Sequence, residues 1–287
     1  MLLQAVGNLH LPQGSLDSRA VRGLYGKFLP DPTPLPPLQR GIKVTWVQDA
    51  LRAHCRSVWV LTYKHAMINS ITMHHIDVHV EKDIYDVNNR IADANAEILK
   101  KHGVRAFDLL GAIGSGKTAT IERLVPLIRE RGLRVGAIAG DVYGDDDFQR
   151  IVALGVPAYN VNTGKECHLD AHLVEHAIEH LPLDDIDILF IENVGNMICP
   201  TDFRLGAEKR IVIISSTEGD DVVNKHPMMF RGSSIGVINK VDLAPFVGAN
   251  LDRMEQDMRR YNPEMQIFRT NMKTGEGIEE LLDAILA

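Results

Sequence analysis

The chain of 287 residues is 45% hydrophobic and 24% charged, the balance of an ordinary globular protein, which excludes a chain that is disordered or fibrous throughout. No apolar run reaches the roughly 18 residues that a membrane-spanning helix needs, and the first residues have neither the basic segment nor the cleavage site of a secretory signal. A net charge of −7 argues against a broad electrostatic attraction to nucleic acid. We therefore expect a cytoplasmic protein that binds neither membranes nor nucleic acid.

Residues 1–72 differ from the rest of the chain in charge and proline content. They hold 8 Lys and Arg against 3 Asp and Glu, a net charge of +5, which leaves −12 for residues 73–287. Five prolines between Pro30 and Pro37 predict an extended, polyproline-like spacer. Two interpretations are open: a native extension, or upstream sequence joined to a protein whose natural start is Met73. The break in composition favours the second.

From Asp77 onward, apolar residues recur at steps of three and four, which predicts one long amphipathic helix that ends at His102 and Gly103. The apolar stripe consists of Val80, Ile84, Val87, Ile91, Ala94 and Ile98. We assign residues 73–103 to this N-terminal helical segment and residues 104–287 to a nucleotide-binding domain.

Seven short apolar runs alternate with helical stretches after this helix. They span residues 104–110, 134–139, 158–161, 186–192, 210–215, 235–239 and 266–270. Strands that are nearly continuous in apolar residues suit a parallel sheet buried on both faces. The predicted fold class is therefore α/β, with a doubly wound, mostly parallel sheet and flanking helices.

A glycine-rich loop directly follows the first predicted strand. The segment GAIGSGKT matches the phosphate-loop pattern GxxxxGK[ST] and leads into a predicted helix over residues 119–131. Its predicted nucleotide-binding residues are Gly111, Gly114, Ser115, Gly116, Lys117 and Thr118. The glycines let backbone N–H groups close around phosphate oxygens, Lys117 offers a positive charge to the β and γ phosphates, and the Thr118 hydroxyl suits Mg²⁺. The predicted ligand is a nucleoside triphosphate.

The base is read further along the chain, at Asn239, Lys240 and Asp242 in the segment NKVD. A carboxylate there accepts two charge-assisted hydrogen bonds from N1–H and N2–H₂ of guanine, which adenine cannot donate. The pattern therefore predicts GTP rather than ATP. A further nucleotide-binding loop is predicted after the last strand, at Asn271, Met272 and Lys273.

Two acidic residues are the candidates to complete a magnesium site with Thr118. Asp141 and Glu192 each follow a predicted strand, so both should lie at the carboxyl edge of the sheet, where ligands bind. With Lys117 they are the predicted catalytic residues. No residue is assigned to position the attacking water or to act as an arginine finger, so we expect slow intrinsic hydrolysis. The acidic run 145–147 is interpreted as a solvated loop.

The three cysteines, Cys55, Cys167 and Cys199, are too few and too scattered for a disulfide framework. Cys167 is followed directly by His168, and Cys199 comes seven residues after Glu192. Thiols and an imidazole select Zn²⁺, Ni²⁺ or Cu over Mg²⁺. Three ligands leave a fourth position for water, or for ligands of a second chain across a two-fold axis. Because Cys199 lies in a segment that should respond to the γ-phosphate, nucleotide state and metal affinity are predicted to be coupled.

Histidines recur every four residues from His168 to His180, a stripe on one face of a predicted helix over 169–181. We interpret most of this stripe as a solvated face. His172, one turn beyond Cys167 and His168, is the further candidate metal ligand.

The segments GAIGSGKT, NTGKECHLDAHLVEHAIEH, ENVGNMICP, STEGDD with KHP close behind, and NKVD, in this order, resemble HypB, the family of hydrogenase nickel-insertion GTPases, in its archaeal type. The resemblance covers residues 73–287. It implies a P-loop GTPase of the dimerising metallochaperone group that helps deliver nickel to the large subunit of [NiFe] hydrogenase, with a HypA-type partner. The metal ligands of the family fall on Cys167, His168 and Cys199.

Three other functions are kept as alternatives. A urease-accessory GTPase shares the nickel chemistry, a zinc or nickel storage protein would use the nucleotide only to hold the fold, and a P-loop kinase would act on a small metabolite. The NKVD segment argues against the kinase. The expected cofactors are GTP, Mg²⁺ and either Ni²⁺ or Zn²⁺, since both metals accept these ligands.

Overall fold

The computed structural model describes residues 83–287. The predictions for residues 1–72, the start of the N-terminal helix and Cys55 lie outside these residues.

The described residues form one sheet of seven parallel strands in the order β3-β2-β4-β1-β5-β6-β7. The strands are β1 (Arg105–Leu110), β2 (Val135–Asp141), β3 (Ala158–Asn162), β4 (Ile188–Glu192), β5 (Lys209–Ser215), β6 (Ile235–Asn239) and β7 (Gln266–Arg269). All seven predicted strands are confirmed, with ends that shift by two residues at most. The central strands are buried and mostly apolar on both faces, as the sequence pattern predicted.

Nine helices accompany the sheet in the described part of the chain. They are α1 (83–101), α2 (Lys117–Glu130), α3 (Asp146–Val152), α4 (Ala171–Glu179), α5 (Val222–Lys225), α6 (Pro227–Arg231), α7 (Ala244–Val247), α8 (Leu251–Tyr261) and α9 (Ile278–Leu286). Because most of them connect parallel strands, they lie on both faces of the sheet. The doubly wound α/β fold is confirmed. None of the helices among residues 83–287 is long and apolar enough to cross a membrane.

Side chains that alternate along the strands divide the core between the two faces. Phe107 of β1 and Phe190 of β4 pack with α2 and α9 on one face, with their ring centroids 6.0 Å apart. On the other face, Ile138 of β2 and Leu189 of β4 pack with α1 and α4. Because the strands are parallel, the carboxyl ends of β1, β2, β4 and β6 lie at one edge of the sheet. The loops that carry the predicted site residues begin at this edge.

The face of α1 that packs on the domain is not its apolar stripe. Ile84 and Val87 are 50% and 54% exposed, whereas Asn88 and Asn95 are buried. Asn88 accepts a hydrogen bond from the backbone N–H of Ala171, and Asn95 donates to the Ala171 carbonyl. The periodicity therefore located the helix correctly, but the side that faces the domain is one residue further round, where Ala92 and Leu99 are buried together with the two hydrogen-bonded asparagines.

Candidate nucleotide and metal sites

The turn from β1 to α2 requires glycine at two positions. Gly111 has φ +151°, and a Cβ there would lie 2.2 Å from the Ile213 carbonyl oxygen. Gly116 has φ +110°, and a Cβ there would lie 2.2 Å from Nδ2 of Asn239. Side chains are thus excluded where the phosphate loop passes under β5 and against the NKVD segment. This explains why the pattern needs glycine at both ends of the loop.

The first turn of α2 faces the space that the phosphate loop encloses. Gly116 precedes the helix and supplies no side-chain cap, so the first backbone N–H groups of α2 are open to an anion. The Lys117 ammonium donates to the carbonyls of Gly111 and Ala112, each at 3.3 Å. Burial lowers the pKa of Lys117, and the charge of Glu192 opposes this shift most strongly. This arrangement suits a polyphosphate, whose charge would replace the two weak carbonyl contacts.

Thr118 and Glu192 meet at the start of α2. The Thr118 hydroxyl donates to Oε1 of Glu192 over 2.8 Å, and Oε2 of Glu192 is buried without a hydrogen-bond partner among the described residues. Burial raises the pKa of Glu192 to about 7, although Lys117 lowers it. A carboxylate with an orphaned buried oxygen beside a hydroxyl fits a hard divalent cation such as Mg²⁺. Asp141 ends β2, next to β4 in the sheet; its Oδ1 accepts from the Val142 N–H at 2.7 Å.

The predicted base-binding residues line one cavity of about 600 Å³ beside the phosphate loop. Its walls include Gly116, Asn239, Lys240, Asp242, Asn271, Met272 and Lys273. Asn239 donates to the Ser115 carbonyl and accepts from the Met272 N–H. The Lys240 ammonium donates to the Gly114 carbonyl at 2.7 Å. The two loops predicted to read the base thus lie together, joined to the phosphate loop by hydrogen bonds.

Arg123, on α2, holds the second base loop and was not predicted from the sequence. Its guanidinium donates to the carbonyls of Met272 and Lys273, at 2.6 and 2.5 Å. Asn271 in turn accepts from the N–H groups of Lys273 and Thr274. Nothing in the local pattern distinguishes Arg123 from a solvated arginine, because its partners are 149 and 150 residues away.

The two cysteines of the candidate metal site come together from separate loops. We call residues 163–169 the Cys167 loop and residues 193–203 the Cys199 loop. The hydrogen bond between the thiols of Cys167 and Cys199 raises the pKa of Cys167, and burial adds to this. Sγ of Cys167 also lies 3.9 Å from Nδ1 of His168. Cys167 therefore contacts both other predicted ligands.

His168 stacks on Phe203, the last residue of the Cys199 loop, with ring centroids 3.9 Å apart. Burial lowers the pKa of His168, despite the opposing charges of Asp170, Glu166 and Asp202. A neutral imidazole is the form that binds metal. Phe203 was not predicted, and it connects the two loops by a ring contact. The side chain of Asn196 makes a second connection, because it donates to the Cys167 carbonyl at 3.2 Å.

The histidine stripe divides between a loop and a helix. His168 precedes Asp170, which caps α4, so the predicted helix over 169–181 is confirmed but is two residues shorter at each end. The side chain of His172 is 73% exposed and lies 3.2 Å from Glu175. Among residues 83–287, one group of three potential metal ligands has all its ligand atoms within 4.8 Å of one another. This group consists of His176, Glu179 and His180, which are exposed.

A phosphate loop between a parallel strand and a helix, with an NKxD segment lining the adjoining cavity, defines the chain as a P-loop GTPase. The model of the CobW/HypB/UreG nucleotide-binding domain family matches residues 106–269, more than half of the chain. The probable hydrogenase maturation factor HypB of Methanocaldococcus jannaschii is 52% identical over 206 residues, which are 72% of this chain and 93% of that protein. The chain therefore belongs to the HypB family of hydrogenase maturation factors.

Two solved structures have the same fold. The crystal structure of the hydrogenase maturation factor HypB from Archaeoglobus fulgidus is 46% identical, with a TM-score of 0.66 over 70% of this chain and 98% of that one. The structure of HypB from Helicobacter pylori in complex with nickel is 32% identical, with a TM-score of 0.66 over 69% of this chain and 93% of that one.

Proposed function

We propose that this GTPase is a nickel metallochaperone for [NiFe] hydrogenase maturation, and that its metal binding is coupled to GTP-dependent dimerisation. One observation carries the proposal: the strand that ends at Glu192, which contacts Thr118 of the phosphate loop, continues directly into the loop that carries Cys199. A change in nucleotide state at Glu192 therefore reaches a metal ligand through a few residues of backbone. The nickel-bound relative from Helicobacter pylori supports nickel as the cargo.

For nucleotide hydrolysis, the proposed residues divide by role. Lys117 and the N–H groups of Gly111, Gly114, Ser115 and Gly116 would bind the phosphates, and Asn239, Lys240 and Asp242 would bind guanine together with residues 271–273. Thr118, Asp141 and Glu192 would hold Mg²⁺, which supplies charge neutralisation to the β and γ phosphates. Glu192 must ionise to take this role, and the nearby Lys117 favours its ionised form.

Nickel is proposed to bind to Cys167, His168 and Cys199, with His172 as a further ligand on α4. The three ligand atoms of the first set do not all lie within 4.8 Å of one another, so they would close around the ion by a small movement of one loop. A tetrahedral site needs a fourth ligand, which water or a second copy of the chain would supply. Zn²⁺ would accept the same set.

The partners proposed are a second copy of the chain, a HypA-type nickel metallochaperone and the hydrogenase large subunit as recipient. GTP would favour the dimer, in which six ligands of two chains surround shared metal. Hydrolysis would then release the loops and weaken metal binding, so that nickel passes from this chain to the recipient protein.

The proposal is tested by nickel titration of the full chain with Mg-GDP and with a non-hydrolysable Mg-GTP analogue, while light scattering reports the mass. Tighter nickel binding in a GTP-driven dimer, lost in Cys167→Ser and kept in Cys55→Ser, supports it. Equal affinity in both nucleotide states contradicts the coupling and favours a storage protein with a structural nucleotide. Lys117→Ala gives a second test, since a variant that kept nucleotide-dependent metal release would also contradict it.

A further inference from the structure

An aspartate lies in the interior of the domain, in the middle of an otherwise apolar strand. Asp108 is in β1, between Phe107 and Leu109, and its side chain is 1% exposed. A buried carboxylate is costly unless charged and hydrogen-bonding partners compensate it. Asp108 has no role in the proposed nucleotide or metal sites. We therefore infer its role from the residues that it contacts.

Asp108 has one partner on strand β5 and one directly after the end of strand β4. Its Oδ2 lies 3.2 Å from Nε of Arg210, its register partner on β5. Its Oδ1 accepts a 3.2 Å hydrogen bond from Asn193, the residue directly after β4. The Arg210 side chain is 14% exposed and Asn193 is fully buried, so the three side chains form one internal cluster.

Each partner holds one of the two metal-ligand loops by its backbone. Arg210 donates to the carbonyls of Thr201, at 2.7 Å, and of Phe203 in the Cys199 loop. Oδ1 of Asn193 accepts from the N–H of Leu169, at 3.0 Å, which is the residue after His168 in the Cys167 loop. The guanidinium thus fixes the segment after Cys199, and the amide fixes the segment after Cys167 and His168.

We propose that Asp108, acting through Arg210 and Asn193, sets the distance between the two loops and so aligns Cys167, His168 and Cys199 for one metal ion. Asp108 and Arg210 are positioning residues, since neither touches the ligand thiols. The proposal rests on the proposed function for the metal itself, but the arrangement of the loops is a property of the chain with or without metal.

The same cluster also lies beside the nucleotide site. Asn193 follows Glu192 directly, and the N–H of Asn193 donates to the Leu109 carbonyl in β1. A displacement of Glu192 would move Asn193, and with it the bond to Leu169 and the bond to Asp108. The cluster therefore extends the coupling from the Cys199 loop to the Cys167 loop.

Two variants separate positioning from simple stabilisation. Arg210→Lys keeps a positive charge beside Asp108, but one ammonium cannot reproduce the forked contacts to the Thr201 and Phe203 carbonyls. The double variant Asp108→Asn with Arg210→Gln removes both buried charges together, so no uncompensated charge is left to unfold the domain. Glu208→Gln is the matched control, because Glu208 pairs with Arg105 of the same strand β1 at the opposite edge of the sheet.

Nickel titration of the full chain is the first readout, with GDP binding and thermal unfolding as checks on the fold. We expect both variants to lose about 10–100-fold in nickel affinity, the range for residues that orient metal ligands. We also expect a weaker thiolate-to-nickel charge-transfer band at saturation, while Glu208→Gln keeps both. Unchanged nickel affinity and absorption in a folded double variant would overturn the proposal.

A metal-free readout distinguishes failure of this inference from failure of the proposed function. In a Cys55→Ser background, oxidised glutathione first forms a mixed disulfide with one cysteine and releases one glutathione, and the second cysteine then displaces the other glutathione. With oxidised glutathione in excess, so that the first exchange is fast, the rate of this second step, which joins Cys167 to Cys199, reports how often the two thiols meet. We expect the joining to be several-fold slower in Arg210→Lys and in the double variant than in the background and in Glu208→Gln. Equal rates would overturn the inference even if the chain binds nickel. Slower rates would support the positioning role of Asp108 and Arg210 even if the chain binds no nickel. The absence of nickel binding would then count against the proposed metallochaperone function alone.

Discussion

The Thr118 hydroxyl donates a 2.8 Å hydrogen bond to Glu192, a carboxyl that is 2% exposed and whose pKa burial raises to about 7. This contact joins the first turn of α2 to the end of β4. It connects the phosphate loop to the Cys199 loop through two adjacent elements of the fold. Burial, against the opposing effect of this hydrogen bond, brings the pKa of Glu192 into a range where its protonation can be measured in the nucleotide-free protein.

Glu192→Gln is expected to change how the stability of the nucleotide-free protein depends on pH. The folded state holds a proton on Glu192 that the unfolded chain releases near its ordinary pKa of 4.5. The wild type should therefore lose up to about 3 kcal/mol of unfolding free energy, relative to the variant, as the pH rises from about 4.5 to above 7. Urea unfolding of both proteins at pH 5 and pH 8 measures this, and parallel pH dependences would contradict it.

Asp242→Asn should weaken binding of guanine nucleotides. It removes two charge-assisted hydrogen bonds to N1–H and N2–H₂, worth about 1.5–3 kcal/mol each, so we expect a loss of about 100-fold or more in GDP affinity. The new amide can donate to O2 of xanthine, so competition with a xanthine nucleotide should improve. Glu122→Gln is the control, since Glu122 lines the same cavity and pairs with Arg150. An unchanged GDP affinity in Asp242→Asn would show that Asp242 does not read the base.

Gly116→Ala should both destabilise the domain and abolish nucleotide binding, because the added methyl group would collide with Asn239. Gly132→Ala is the matched control, since Gly132 also has a positive φ, of +78°, but open space around it. The control should lose about 1–2 kcal/mol from backbone strain and keep its GDP affinity. Urea unfolding and GDP titration compare the two variants. Normal GDP binding by Gly116→Ala would contradict the proposed phosphate-loop geometry.

Phe203→Leu is expected to weaken nickel binding without a comparable loss of stability. The phenyl ring stacks on His168, so its removal frees the imidazole to rotate away from Cys167. A loss of about 10-fold in nickel affinity is expected for a residue that orients a ligand. Phe246→Leu provides the comparison, because Phe246 is 86% exposed elsewhere on the domain. Equal nickel affinities of these two variants would remove Phe203 from the description of the metal site.

The positions of the seven strands along the chain, the parallel α/β class and the location of the nucleotide site followed from the sequence by itself. Buried parallel strands are apolar along their whole length, and the phosphate loop and the NKVD segment need particular residues at fixed local spacing. Each of these patterns spans only a few consecutive residues, so it can be recognised without knowledge of the tertiary structure. Cys167, His168 and Cys199 were predicted as candidate ligands in the same way, because the metal preference of thiols and imidazoles depends on the residue type and not on the fold.

Only the tertiary structure decided how these segments meet. The contact between Cys167 and Cys199, the stacking of Phe203 on His168 and the bonds of Arg123 to the base loop join residues far apart in the chain. Asp108 gave a local signal, since a charged residue interrupts an apolar strand, but its partners, on β5 and directly after β4, could not be known before the strand order was. The buried face of α1 was likewise decided by tertiary contacts, because the packing of Ala92 and Leu99 and the hydrogen bonds of Asn88 and Asn95 depend on residues distant in the chain.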